Sequence, residues 1–212
     1  MPGTEFYNLA RARQSARRIL GRLRYLCESR TVRQKREVNR KMDFFDVVRL
    51  RRSVRAFADR ALEEEKLGII LESANQAPSA GNSQAYAIYV VRQPADRKAL
   101  ARASLGQDYV AAAPVSLVFC ACPGRSTAKY GERGSRIYAL QDATIACTFA
   151  MLAATALDLA TVWIGAFQDE DVQRAIRVPK DIIPVAILPI GYRGEFPAAT
   201  PRRAIANLVH EI

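Results

Sequence analysis

The sequence is poor in the residues that most enzymes use for acid–base or metal chemistry. Its 212 residues include a single histidine, His210, and four cysteines with no C-x-x-C spacing. These residues do not supply the set of ligands that a zinc site needs, so no metal site is expected. Because no Ser–His arrangement or plausible acid pair is present either, hydrolysis by a protein nucleophile or by acid–base catalysis has little support.

Common nucleotide-binding and membrane signals are missing as well. No G-x-G-x-x-G follows a strand and no phosphate-loop lysine motif occurs, so neither a Rossmann site nor an NTPase site is predicted. No apolar run approaches the roughly 20 residues of a membrane-spanning helix, and no standard signal peptide is expected. An enzyme without acid–base machinery of its own often takes its chemistry from a cofactor.

Positive charge is concentrated at one end of the chain. The formal net charge is +11, but residues 1–41 alone hold 12 Lys or Arg against three acidic residues, whereas the other 171 residues hold 20 against 18. Residues 6–26 also place apolar side chains close to helical spacing. We therefore interpret residues 1–41 as a basic amphipathic extension and residues 42–212 as one domain that is not expected to bind nucleic acid.

Three interpretations of the extension remain open. It is typical of an organelle transit peptide, of a surface for membrane or nucleic acid, or of an upstream stretch of little consequence. Met42 directly precedes the first core-like segment, so translation from Met42 is a further interpretation.

The cysteines favour a structural role. Cys120 and Cys122 lie in and at the edge of an apolar run, where alternate residues share one face of a strand. Buried structural thiols are therefore predicted rather than a metal or redox pair. Reduced thiols favour a cytoplasmic location, with organelle import through the extension left open.

From residue 44 onward the apolar pattern predicts an α+β domain. The strands do not alternate with helices in a βαβ rhythm, so a central mixed or antiparallel sheet flanked by helices is expected. The helix over 137–157 is apolar on most faces, which predicts a central position or packing against another subunit. The expected helices are 44–50, 63–75, 94–104 and 137–157, and the expected strands are 87–91, 115–120, 161–164 and 182–191.

A cluster of cations follows the first helix. Arg51, Arg52 and Arg55 surround Ser53 within five residues, and a second basic pair, Arg202-Arg203, lies in a Pro-containing C-terminal loop. Guanidinium groups bind phosphate through paired hydrogen bonds, so the two clusters are suited to a phosphate clamp. Each pair by itself is also typical of a solvated surface.

The loop over 77–84 reads Ala-Pro-Ser-Ala-Gly-Asn-Ser-Gln. Proline fixes a turn, small residues let backbone approach a flat ring, and amide side chains offer both donors and acceptors. Such a mixed set matches a uracil-like ring edge. The alternative is an ordinary loop that ends a helix.

Together these segments resemble the nitroreductase family of FMN-dependent oxidoreductases, from about residue 42 to residue 211. The resemblance implies a nitroreductase-like fold and a homodimer with composite active sites. Its motifs stand in family order: Arg-Arg-Ser-x-Arg-x-Phe at 51–57, Ala-Pro-Ser-x-x-Asn-x-Gln at 77–84, Trp-Ile-Gly-Ala-Phe at 163–167 and Pro-x-Gly-Tyr at 189–192.

The resemblance also implies a role for each matching residue. Arg51, Arg52 and Ser53, with Arg202 or Arg203, would hold the FMN phosphate and ribityl chain. Around the isoalloxazine ring it implies a cation beside N1 and O2, a loop from the partner subunit, and a turn whose backbone N–H groups point at N5 and O4. These ring positions are Arg55 for the cation, Pro78, Ser79, Ala80, Asn82 and Gln84 for the loop, Ile164, Gly165 and Ala166 for the turn, and Gln107 as a further contact.

The implied activity needs no catalytic protein residue, because the chemistry takes place at flavin N5. NADH or NADPH would give hydride to the flavin and leave before a small oxidant, such as a quinone or nitroaromatic, enters the same pocket. Alternatives are a specialised member that carries out reductive dehalogenation or flavin fragmentation, and a non-catalytic flavin-binding protein that uses the basic extension on nucleic acid. One departure is Asp158-Leu159-Ala160, where the family often has Gly-Leu-Gly, so an altered helix end is expected.

Overall fold

The computed structural model describes residues 42–212. The helix expected over 6–26, and Cys27, lie outside the described residues. The division of the chain at residue 42 therefore stays a prediction.

In the described part of the chain, four strands form one antiparallel sheet. They are β1 (Tyr86–Val91), β2 (Val115–Ala121), β3 (Ala160–Thr161) and β4 (Ile183–Gly191), in the spatial order β1-β2-β4-β3. Every residue of β2 is buried, because this strand has a neighbour on each side and helices over both faces. The predicted α+β class is confirmed, and the sheet is antiparallel rather than mixed.

Within residues 42–212, seven α-helices flank the sheet. They are α1 (Phe44–Leu50), α2 (Glu64–Asn75), α3 (Pro94–Ala103), α4 (Tyr109–Ala112), α5 (Pro123–Arg133), α6 (Ala139–Ala156) and α7 (Asp169–Ile176). Local chemistry fixes their starts: Asp43 caps α1 by accepting from the Asp46 N–H at 2.9 Å, and proline opens α3 and α5. The predictions for α1, α2, α3 and α6 are confirmed, whereas α4, α5 and α7 were not predicted.

The sheet separates two apolar clusters. Leu117 and Leu188 face α2 and α6, while their neighbours Val118 and Ile187 face α3 and α7. This alternation follows from the two-residue period of a strand. Both faces of the central strands are therefore covered by apolar side chains. Polar groups that function at the sheet must lie at the ends of its strands.

Helix α6 packs on the sheet through small side chains. It has the central position that was one of the two predictions for this helix. Its buried face is a row of alanines, Ala139, Ala143, Ala146, Ala150 and Ala154, which lets the helix approach the strands closely. Among the described residues, the helical stretch Pro123–Ala156 is long and apolar enough to cross a membrane by length and composition. Its alanine row belongs to the domain core, which accounts for that composition.

Two predictions about details had different outcomes. The prediction of a regular strand over 161–164 is wrong, because β3 ends at Thr161. Ile164 pairs instead with Ile187 through an isolated bridge with two hydrogen bonds of 3.0 Å. The prediction of buried thiols is confirmed for Cys120 and Cys122, and Cys147 is buried as well. Burial, with a smaller contribution from Cys122, raises the pKa of the Cys120 thiol to about 12.

Candidate active site

A cationic cleft opens where α1 ends. The chain leaves the helix at Arg51 and runs extended beside β3, where Ser53 forms a parallel bridge with Thr161 and the Val54 N–H donates to the Thr161 carbonyl at 3.0 Å. The cleft has a volume of about 180 Å³. Its lining residues are Leu50, Arg51, Arg52, Val54, Thr155, Leu159, Ala160, Arg193, Phe196 and Pro197.

Like charges crowd this cleft. Burial lowers the pKa of Arg51, and the neighbouring guanidinium groups of Arg202 and Arg52 lower it further. Neither residue of the C-terminal basic pair lines the cleft: Arg202 Nη1 donates to Thr200 Oγ1 and Arg203 Nη2 donates to the Asn207 carbonyl, both at 2.8 Å. Repulsion among these cations is relieved when an anion binds.

Two buried polar atoms beside the cleft lack a hydrogen-bond partner among the described residues. They are Thr161 Oγ1 and Arg193 Nε. A buried donor or acceptor left unpaired costs about 1–3 kcal/mol. Of the two residues, only Arg193 lines the cleft, and the guanidinium groups of this lining fit a phosphate group. Sequence reasoning missed Arg193, although it directly follows the Pro-x-Gly-Tyr motif.

Arg55 and Ser53 occupy different positions. Ser53 is half-buried in the bridge to β3, whereas Arg55 is exposed and its side chain makes no hydrogen bond within residues 42–212. The Glu195 carboxylate holds the backbone at this point, because Oε1 accepts from the N–H groups of Arg55 at 2.5 Å and Ala56 at 3.2 Å. The Arg55 guanidinium is therefore available to a ligand while its main chain is fixed.

The loop over 78–84 has an unusual backbone. Gly81, Asn82 and Gln84 have φ angles of 53°, 57° and 46°, in the left-handed region that non-glycine residues seldom adopt. Within the loop, Ser79 Oγ accepts from the Gln84 N–H at 3.0 Å. Such conformations persist only where the surroundings enforce them, and they cluster at ligand sites.

Asp142 is the residue that enforces them. This carboxylate on α6 is 2% exposed; Oδ1 accepts from the Ala80 N–H and Oδ2 from the Ala85 N–H, both at 3.0 Å. Sequence reasoning missed it. The available signal was that Asp142 is the only charged residue between Arg136 and Asp158 in an otherwise apolar helix.

Helix α5 covers the same loop from outside. Arg125 Nη1 donates to the Gln84 carbonyl at 3.0 Å and to the Tyr86 carbonyl at 3.1 Å. A Cβ at Gly81 would lie 2.2 Å from the Tyr130 hydroxyl. Glycine at 81 therefore suits the left-handed backbone, and an added Cβ would have to displace the ends of the Tyr130 and Lys129 side chains.

The turn over 164–166 lies near the start of the cleft segment, because Thr161 pairs with Ser53 only three residues before Ile164. Gly165 and Ala166 are exposed, and their backbone N–H groups make no hydrogen bond in the part of the chain that the structure describes. Gln107 Nε2 donates to the Ala166 carbonyl at 3.1 Å, so the predicted contact Gln107 is brought to this turn. Trp163 is half-buried against the core, as a packed aromatic residue would be.

A single chain does not bring all the predicted site residues together. The cleft lining includes no residue of the 78–84 loop. That loop is anchored at Asp142, whereas the cleft is bounded by Thr155 of the same helix, and 13 residues of helix span roughly 20 Å. The cationic cleft and the 164–166 turn thus form one group, and the loop forms another at the far end of α6.

The end of α6 keeps a left-handed residue without glycine. Asp158 has φ 58°, a conformation that short polar side chains tolerate better than most. Its Oδ1 accepts from Arg193 Nη2 at 3.3 Å. Asp158 therefore adopts the left-handed conformation that follows α6 and also makes an ion pair.

This fold and this cleft define an α+β protein suited to a phosphate-bearing ligand. Comparisons with known proteins identify the family to which it belongs. Residues 48–192 match the model described as Nitroreductase family. The chain belongs to the nitroreductase family.

Individual relatives support the assignment. Over 164 residues the chain is 32% identical to a putative NADH dehydrogenase/NAD(P)H nitroreductase of Methanothermobacter thermautotrophicus, covering 74% of this chain and 81% of that protein. It is 30% identical to an FMN reductase [NAD(P)H] of Bacillus subtilis, covering 71% of this chain and 66% of that protein. The crystal structure of nitroreductase A from Vibrio parahaemolyticus matches with a TM-score of 0.74 and 25% identity, covering 80% and 76% of the two chains.

Proposed function

We propose that this protein is an FMN-dependent oxidoreductase that takes hydride from NADH or NADPH and reduces a small oxidant, such as a quinone or a nitroaromatic compound. Membership of the nitroreductase family makes it an NAD(P)H-dependent flavin oxidoreductase. The observation that carries the proposal is the cationic cleft, where Arg193 Nε has no partner in the part of the chain that the structure describes. The Ser53–Thr161 bridge joins this cleft to the exposed N–H groups of Gly165 and Ala166.

The residues present fit FMN. Arg51, Arg52 and Arg202 would bind the terminal phosphate, whose negative charge offsets their mutual repulsion, and Ser53 would bind the ribityl chain. When bound, FMN supplies the two-electron chemistry that this sequence lacks in its own side chains. The N–H groups of Gly165 and Ala166 would orient the polar edge of the ring.

We further propose that the 78–84 loop serves the flavin of a second subunit. The roughly 20 Å between Asp142 and Thr155 separates it from the cleft of its own chain. Apolar side chains on α1 and in the C-terminal segment are exposed, which a homodimer would cover: Phe44, Phe45, Ile205, Leu208 and Val209. Pro78, Ser79, Ala80, Asn82 and Gln84 would then close the ring site and exclude water from it.

Catalysis in such a site depends on position and charge. The side chains assigned to the site offer no general acid or base, so rate enhancement comes from holding the donor and oxidant against the ring and from fixed dipoles and cations around it. The resemblance supports a ping-pong order, in which the nicotinamide leaves before the oxidant enters the same pocket.

The first experiment identifies the cofactor and the reaction. The purified protein is expected to be yellow, to release FMN rather than FAD on denaturation, and to bleach when NADH or NADPH is added without oxygen. Quinones and nitroaromatics are then screened for turnover with the preferred donor. A colourless protein that also fails to bind added FMN would contradict the proposal.

The second experiment tests the composite site. Arg51→Ala and Asn82→Ala chains carrying different tags are co-expressed, and the doubly tagged dimer is assayed against each variant alone. A composite site predicts that both lesions meet in one site of the mixed dimer while the other site is intact, so about half of its sites recover. A verified mixed dimer without recovered turnover would show that each subunit builds its own site.

The domain division also becomes testable. A chain that starts at Met42 is expected to retain its flavin and turnover, because every proposed cofactor residue lies after it. If the basic extension binds nucleic acid, only the full-length protein will show strongly salt-dependent affinity. Loss of flavin from a folded truncation would place the extension in the site.

A further inference from the structure

Arg193 is held beside the arginines that follow α1. It comes two residues after β4, where it forms an isolated bridge with Phe57, and the next N–H, that of Gly194, donates to the Ala56 carbonyl at 2.8 Å. These contacts tie the main chain of Arg193 to the continuation of the Arg51–Arg55 segment. Its presence in the cleft is therefore set by the backbone.

Its guanidinium group is only partly used within the chain. Nη2 donates to Asp158 Oδ1 at 3.3 Å, but the Asp158 side chain is 74% exposed, so this ion pair is weak. Nε is buried and has no partner among the described residues. Nη2 of this guanidinium thus contacts a solvated carboxylate, whereas the buried Nε donor has no acceptor within residues 42–212.

Within the cleft lining, the Phe196 ring lies 5.7 Å from the Arg193 guanidinium carbon, but no side chain there accepts a hydrogen bond from Nε. Besides Arg51, Arg52 and Arg193, the lining side chains carry no charge, and the Thr155 hydroxyl already donates to the Met151 carbonyl at 3.0 Å. Three cations and one unpaired buried N–H around a small volume require an anion with several acceptor oxygens. A phosphate monoester has this chemistry, whereas an uncharged ribityl chain does not.

We propose that Arg193 is a third guanidinium ligand of the FMN phosphate and makes this chain select FMN over riboflavin. The inference rests on the proposed function. It adds a residue that lies just beyond the region matched by the family model, which ends at residue 192. Asp158 has a secondary part: it binds Nη2 and leaves Nε to the ligand.

The test compares two ligands that differ only in the phosphate. Dissociation constants of FMN and riboflavin are measured on flavin-free protein by fluorescence, at one fixed salt concentration, for wild type, Arg193→Gln and Arg193→Lys. Arg193→Gln is expected to weaken FMN binding by roughly 10- to 100-fold and to leave riboflavin within about twofold, since a hydrogen-bonded charge pair is lost. Arg193→Lys should lie between, because it keeps the charge without the fork of donors.

Two variants separate ligand binding from a structural role. Arg177→Gln breaks a surface ion pair of the same kind, Arg177 Nη2 to Asp96 Oδ1 at 2.7 Å, and should change neither constant. Asp158→Asn removes the partner of Arg193 while tolerating the left-handed backbone, and FMN binding should not fall. If Asp158→Asn weakened FMN as much as Arg193→Gln does, the ion pair alone would matter and the proposal would be overturned.

The remaining outcomes are also decisive. Equal weakening of FMN and riboflavin by Arg193→Gln, or no weakening of either, would remove Arg193 from the phosphate site while leaving the FMN enzyme intact. Competition by inorganic phosphate against FMN in wild type, lost in Arg193→Gln, would support the assignment. Should Arg193→Gln fail to fold, Arg193→Lys carries the comparison. Wild type that binds neither flavin would instead reject the proposed function itself.

Discussion

The cationic cleft and the 78–84 loop, both of which we propose to bind the flavin, are built in opposite ways. The cleft gathers charged side chains that repel one another, and its Arg193 Nε has no hydrogen-bond partner within residues 42–212. The loop uses backbone shape, and one buried carboxylate, Asp142, satisfies its N–H groups in advance. Changes in the cleft should therefore affect binding, whereas changes in the loop should affect folding first.

Asp142→Ala is expected to have the largest effect. It removes two hydrogen bonds to a buried carboxylate and leaves the buried Ala85 N–H unpaired, which should lower the free energy of unfolding by about 3 kcal/mol. Urea unfolding of the flavin-free protein measures this directly. Asp59→Ala serves as the control, because Asp59 is exposed and its side chain makes no hydrogen bond within residues 42–212. A loss below 1 kcal/mol would mean that the loop holds its shape without Asp142.

Arg51→Gln should show the reverse pattern. Losing one charged ligand of the phosphate is expected to weaken FMN binding by roughly 10- to 100-fold. Stability of the flavin-free protein should change by no more than about 0.5 kcal/mol, because the substitution also relieves repulsion from Arg202 and Arg52. Fluorescence titration and urea unfolding of the same preparation give both values. A large loss of stability would show that Arg51 is needed for the fold.

Gly81→Ala tests the loop backbone without touching a charge. A Cβ at φ 53° is strained and should lower stability by about 1 kcal/mol. The atoms that it would meet are the ends of the Tyr130 and Lys129 side chains, which can move aside. Gly124→Ala is the matched control: nothing lies within 4 Å of its added Cβ, and a small gain in stability is expected. Equal effects of the two changes would show that the left-handed turn carries no strain.

Glu63→Gln should have the smallest effect and lies outside both regions. The Tyr192 hydroxyl donates to Glu63 and, with the backbone and Arg60, lowers the pKa of this carboxyl from 4.5 to about 2. A lowered pKa in the folded state stabilises the protein above pH 4.5, and this contribution is lost as the pH falls toward 2. Acid unfolding of wild type and variant should therefore converge near pH 2, and high salt should shrink the difference above it. FMN affinity at neutral pH should not change, although Tyr192 adjoins Arg193.

The sequence predicted the parts of the fold whose apolar pattern is strong. Strands β2 and β4 are nearly continuous apolar runs, and α6 is apolar on most faces, so both signals stand above their surroundings. Helices α5 and α7 were missed because each carries few apolar residues and packs through one narrow side. Strand β3 was overextended because Val162 and Trp163 are apolar but leave the ladder.

The site shows a similar division. Motif residues such as Arg51 and Gly165 could be proposed from the sequence because their chemistry is local in it. Asp142 and Arg193 could not, since each acts on a segment distant in sequence: Asp142 on residues 80 and 85, and Arg193 on the cleft beside Arg51. A side chain's long-range partner depends on the packed fold, which local patterns do not encode.

The bridge between Ser53 and Thr161 has a consequence for how this chain can vary in evolution. Only Val162 and Trp163 separate Thr161, which is paired to the arginine segment, from Ile164, which is pinned to β4. The distance between the arginine segment and the 164–166 turn is therefore fixed by a main-chain connection of two residues. Substitutions at these two positions should be tolerated if the new side chains pack. An inserted or deleted residue would instead shift the turn relative to the arginine segment. Family members should therefore differ here in side chains and keep the same length.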